Sequence, residues 1–261
     1  MTEQQPFEPL GFPPQPEPPV PESPPPAPPR EPFWSYTDLL IFIGLAIPCL
    51  LLGIGIVRAL EFVLRIQPRV RMIELLPAQF LGYALMFSAL MLLFRWQYGR
   101  PFWRSLGWTE LHLAPVLIAG AGLVTAFGVS AISILIGTPA TNNPMTEMLK
   151  DPTSLALVAV FGITLGPLFE ELAFRGFLQP LAVRSMGVTA GVLVAAVPFG
   201  LLHYQEYGNS WRHVVLISLA GAAFGAVRQL TGSTKASTLM HASYNALFFV
   251  ALLAQRNSVH R

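Results

Sequence analysis

The chain has 261 residues, 53% of them hydrophobic and 11% charged, with a formal net charge of +2. Soluble domains carry about 25% charged residues, so the composition excludes an ordinary water-soluble domain and predicts an integral membrane protein. The small charge gives no electrostatic footprint for nucleic acid, and a single cysteine, Cys49, excludes an intrachain disulfide.

Residues 1–34 hold fourteen prolines, five glutamates and one arginine. Such a segment has too little apolar surface to pack and favours extended polyproline conformations, so a disordered proline-rich tail is expected. Beyond it, apolar stretches long enough to cross about 30 Å of hydrocarbon recur. They lie near 37–57, 75–95, 115–136, 154–174, 188–204, 212–229 and 236–254. The expected fold is therefore all-α, a polytopic transmembrane helical bundle of about seven spans and up to eight helices. Leu178–Met186 reads as a short interfacial helix between the fourth and fifth spans. Lysine and arginine divide almost evenly between the two sets of loops, so the positive-inside rule assigns no orientation. The spacings Gly162-x3-Gly166 and Gly221-x3-Gly225 are assigned to close helix packing.

Ionisable groups at bilayer depth are costly, roughly 2.5–3.5 kcal/mol for an Asp at a helix centre, which makes three polar clusters informative. The first is Phe169-Glu170-Glu171-Leu172-Ala173-Phe174-Arg175-Gly176. On a helix Glu171 and Arg175 share a face at i and i+4 and can pair, whereas Glu170 is turned about 100° away. Two adjacent carboxylates are then inequivalent: one is held ionised by the guanidinium and the other is free for acid/base work. Gly166-Pro167 just upstream predicts a bend. The alternative is a buried ion-pair network that only holds helices together. The second cluster is Phe199 and His203, one turn apart, with the histidine at the end of an apolar helix; Glu206 lies beyond that run and counts as loop. The third is His241 and Asn245, on one stripe about 6 Å apart along the axis. Together they supply a carboxylate, two imidazoles and an amide from three segments, an inventory suited to water activation and oxyanion stabilisation.

Glu-Glu-x3-Arg, Phe-x3-His and His-x3-Asn, in that order on successive membrane segments, resemble the CPBP intramembrane proteases. These include the CAAX prenyl endopeptidases and enzymes linked to bacteriocin self-immunity. The resemblance covers roughly residues 150–250, and Arg100–Trp108 is also similar to the loop that precedes the family's core. With the tail at 1–34 and N-terminal helices at 35–114, the resemblance implies a catalytic helical core at 115–256. Carried over, Glu170 is the general base that activates water, His203 holds that water, and His241 and Asn245 stabilise the oxyanion. Glu171 and Arg175 fix the cavity wall, and Phe199 packs beneath the site. The family has been described both as metal-dependent and as metal-free. Glu170, His203 and His241 are the candidate ligands if zinc is the cofactor, although no His-Glu-x2-His is present. The partners implied are a peptide or protein substrate, lipidated or not, and membrane lipid, with no nucleic acid. Arginine outnumbers lysine 14 to 2, which fits a bacterial source and hence a multi-pass protein of the bacterial inner membrane.

Other chemistries fit less well. An aspartate-dependent intramembrane protease needs two intramembrane aspartates, but Asp38 and Asp151 sit near span ends. Gly128-Val129-Ser130-Ala131 matches a short serine-protease pattern without supporting residues. A proton-coupled transporter would use the same acids as a relay, but no internal repeat is visible. A non-catalytic scaffold or immunity protein of the same fold is the remaining alternative.

Overall fold

A computed structural model describes residues 31–139 and 149–259; nearly all of the proline-rich tail lies outside the described residues. Among the described residues every regular element is helical: α1 (Tyr36–Leu64), α2 (Met72–Tyr98), α3 (Phe102–Ser105), α4 (Pro115–Leu135), α5 (Pro152–Ile163), α6 (Leu165–Glu171), a π-helical stretch (Leu172–Leu178), α7 (Gln179–Met186), α8 (Val188–Leu202), α9 (Trp211–Thr231) and α10 (Thr234–Val259). The protein is an all-α polytopic bundle. Six helical runs among the described residues are long and apolar enough to cross a membrane, and α8, at 188–202, is a shorter apolar helix. The expected interfacial helix at 178–186 is not separate. It continues α5, α6 and the π stretch as one run, Pro152–Met186.

Local chemistry explains where these elements begin and break. Ser35 and Asp38 form a reciprocal capping box at the start of α1, satisfying backbone donors that the first turn leaves open. Asp38 Oδ2 also accepts from the Tyr98 hydroxyl at 2.7 Å, tying the start of α1 to the end of α2. The folded structure reaches back to Trp34, which the sequence assigns to the tail. Its ring is buried between Phe94 and Phe177, and its indole N–H donates to the Phe177 carbonyl at 3.1 Å. The predicted bend lies at Thr164, where φ −116 and ψ −80 separate α5 from α6. A proline ring clashes with the carbonyl four residues earlier, here Ile163, so the break precedes Pro167.

α1 packs along α2, α4 along α10, and α8 along both α7 and α9. The loop after α3 acts as a staple. Thr234 donates its backbone N–H to Gly107 O at 2.8 Å and its hydroxyl to Leu106 O at 2.5 Å. Gly107 has φ +73, and a Cβ there would run into the Arg228 guanidinium, which itself donates from Nε to Thr234 Oγ1 at 3.0 Å. Gly107→Ala should therefore destabilise the fold by roughly 1–2 kcal/mol from the left-handed backbone alone. A lower thermal midpoint in detergent is the expected reading; an unchanged midpoint would show that the loop bears no load.

Candidate active site

The Pro152–Met186 run carries the two glutamates to different environments. Glu171 and Arg175 are completely buried and lie 3.0 Å apart, the expected i,i+4 pair. Arg175 lies over the Phe199 ring at 4.4 Å and donates from Nη2 to Gly221 O at 2.7 Å. One helical turn on, Gln179 Nε2 donates to Gly225 O at 2.9 Å. The Gly221-x3-Gly225 spacing thus brings two backbone carbonyls of α9 against two polar side chains. A Cβ at Gly221 would stand 2.9 Å from Arg175 Nη2, and one at Gly225 would stand 2.7 Å from Gln179 Oε1. Glu170, by contrast, keeps 28% of its side chain accessible and lines a cavity.

His241 joins the two acids. Its Nδ1 lies 3.0 Å from Glu171 Oε1, and its Nε2 lies 3.8 Å from Glu170 Oε2. A carboxylate only accepts, so Nδ1 carries the proton on that bond, and in the neutral ring Nε2 is the free acceptor. His203, the residue just after α8, repeats this arrangement. Its Nδ1 lies 2.8 Å from the Phe199 carbonyl, which again makes Nδ1 the donor and leaves Nε2 uncommitted. Phe199 sits between the imidazoles, with centroids 5.0 Å from His203 and 5.7 Å from His241. Phe224 stacks on His241 at 4.5 Å. Asn245 donates from Nδ2 to Gly162 O at 2.7 Å, so one of its two amide N–H groups is already used.

Glu170, Phe199, His203, His241 and Asn245 all line one cavity of about 690 Å³, within the 300–1,000 Å³ range of small-molecule sites. Glu171 and Arg175 stand behind its wall, buried away from it. Residues that sequence reasoning did not assign to the site share the lining: Glu206, Tyr207, His213 and Tyr244. Tyr207 stacks on His213 at 5.0 Å. Glu206 does lie in a loop, as the sequence predicts, and it is exposed and contributes to the cavity lining. Desolvation by the surrounding protein pushes its carboxyl above the ordinary carboxylate range; His203 opposes the shift and Glu170 adds to it. Burial likewise pushes the Tyr207 phenol up, with Glu206 adding. The available signals were Glu206 three residues after His203 and Tyr244 beside Asn245 on the stripe of His241. Neither reveals a wall without coordinates.

The zinc option fares worse. Among the described residues no three His, Cys, Asp or Glu side chains group so as to hold a metal ion. Glu170, His203 and His241 share a cavity but do not fit a zinc site as they stand.

Fold and site together define a multi-pass helical membrane protein with a carboxylate–imidazole cavity among its spans. Residues 152–247 match the family model of the Rce1-like type II CAAX prenyl endopeptidases. That matched stretch contains all three motifs, Glu-Glu-x3-Arg, Phe-x3-His and His-x3-Asn, and is what the chain shares with the family. No curated protein and no solved structure matches the chain.

Proposed function

We propose that the protein is an intramembrane endopeptidase with its catalytic core in residues 115–256, in which Glu170 activates water for attack on a peptide bond. The observation that carries this reading is the approach of Glu170 Oε2 to His241 Nε2 at 3.8 Å in a cavity shared with His203. With Nδ1 as the donor on each ring, a carboxylate and two imidazole Nε2 atoms face the cavity as acceptors. Acceptors do not bond one another. A water molecule, with two protons to donate, fits among them.

In this scheme Glu170 takes the proton as water oxygen attacks the carbonyl carbon, His203 orients the water, and the proton passes to the leaving amine. The tetrahedral oxyanion receives a hydrogen bond from the second amide N–H of Asn245, and one from His241 while its Nε2 holds the proton that Glu170 took from water, on that proton's way to the leaving amine. Glu171, Arg175 and Phe199 hold the two histidines in place. No step needs a metal. The substrate is a peptide or protein met at the membrane. CAAX-type processing and bacteriocin or peptide maturation or immunity are its two narrower forms, and a bacterial inner membrane is the setting that the arginine-rich composition favours.

The test is purified protein against a panel of lipidated and unlipidated peptides, with and without chelator, with Glu170→Gln as control. Cleavage that survives the chelator and is lost in the variant supports the scheme. Ion flux lost in the variant without any cleavage points to a relay, and intact behaviour in every assay points to a scaffold.

A further inference from the structure

We propose that the α8–α9 face of the bundle carries a thinned collar of lipid, which brings the headgroup level down to His203 at the cavity wall. The partner is a phospholipid whose chains are shorter than those of the surrounding bilayer. The inference deepens the peptidase reading and rests on it only for the effect on turnover.

The apolar surface of the bundle is not equally tall on all sides. On α8 the exposed apolar side chains run from Val188 to Leu202, which is 72% accessible. At 1.5 Å per residue that band is about 21 Å tall. On α9 the exposed apolar band runs from Val215 to Leu230, which is 84% accessible, about 22 Å by the same rise. Arg228, inside that stretch, is half-buried and held on Thr234. The two helices are neighbours: Gly200 lies against Val214 and Ser218, and Gly221 against Ala196. The short face is therefore two helices wide. α4 also lines the cavity, through Val129, Ser130 and Ser133, and its exposed apolar band runs from Val116 to Leu135, about 29 Å. Bilayer hydrocarbon is about 30 Å thick. α4 matches it, and α8 falls short by about 9 Å.

A bilayer meets a short helix by thinning, by snorkelling of flanking side chains or by association of copies, and tilt only shortens the helix's reach. Snorkelling has little to work with here. Residues 203–210 hold no lysine or arginine, and on the other side Arg184 is held on the Pro32 carbonyl. Without thinning, the exposed Gln205 and Asn209 would be driven toward hydrocarbon, where polar groups find no partners. Tyr204 and Trp211 pair at 4.8 Å across this loop, with Trp211 exposed, and such aromatic side chains settle at the headgroup level. That places the water boundary of this face beside His203, the first residue past α8 and part of the cavity lining. Thinned lipid thus delivers water to the side of the cavity where the imidazole stands.

The experiment reconstitutes the full chain in phosphatidylcholine vesicles whose monounsaturated chains range from roughly 14 to 22 carbons. In mixed vesicles with either the short-chain or the long-chain lipid brominated, tryptophan quenching reports which lipid touches the protein. The share of quenching that Trp211→Phe removes reports the lipid beside α9. The short-chain lipid should be enriched there at least about threefold, and turnover should fall at least about threefold from the shortest chains to the longest. Trp211→Leu extends the α9 band by one turn, to about 28 Å, and should move the turnover optimum to longer chains. Equal quenching of Trp211 by the two lipids overturns the proposal, as does quenching by neither, the result if a second copy covers this face. A turnover optimum that Trp211→Leu leaves in place also overturns it. Short-chain enrichment at Trp211 with no peptide cleaved in any vesicle would leave the lipid collar standing and remove the peptidase reading alone.

Discussion

Glu170→Gln should abolish peptide hydrolysis while leaving the protein folded. The substitution keeps the shape of the side chain and removes only its capacity to take a proton, a loss worth about 10²–10⁴-fold in rate for a general base. Little in the fold depends on the charge. Glu170 keeps 28% of its side chain accessible and stands 3.8 Å from its nearest imidazole nitrogen, beyond hydrogen-bond length. Turnover of a peptide that wild type cleaves, measured beside the thermal midpoint in detergent, checks both halves. Retained turnover would remove Glu170 from the chemistry; a collapsed midpoint would make it structural.

Arg175→Ala should do the opposite and unfold or severely weaken the bundle. It leaves Glu171 charged and unpaired where no part of the side chain is accessible, and breaking a buried pair in this way costs about 3–5 kcal/mol. It also removes the donor to Gly221 O and the cation over Phe199, and it loosens the carboxylate that positions His241. A large drop in midpoint is the expected result, with activity falling alongside it. A stable, inactive Arg175→Ala protein would instead assign the arginine to the reaction.

The contrast between the two glutamates was legible before any coordinates, because i,i+4 geometry on a helix depends only on spacing. The Glu171–Arg175 pair is that geometry realised. The position of His203 at a helix end was legible for the same reason, as an apolar run that stops at Leu202. Other features depend on contacts between distant segments and have no local signature. His241 bonds Glu171 across 70 positions of sequence, and Trp34 bonds Phe177 across 143. The glycine spacing at 221 and 225 signals close approach, but nothing local says that Arg175 and Gln179 are what approaches. Glu206 is the clearest case, since hydropathy ends the span before it and only the returning loop brings it to the cavity wall.

Composition and periodicity by themselves determined a membrane-spanning all-α bundle and the short roll of polar residues within it, because hydrocarbon tolerates few charges and a helix repeats with a fixed turn. Only the tertiary structure decided which of those residues share a cavity and which ring nitrogen of His203 and of His241 is committed. These are outcomes of packing between segments, set by which surfaces meet rather than by the order of residues along any one of them.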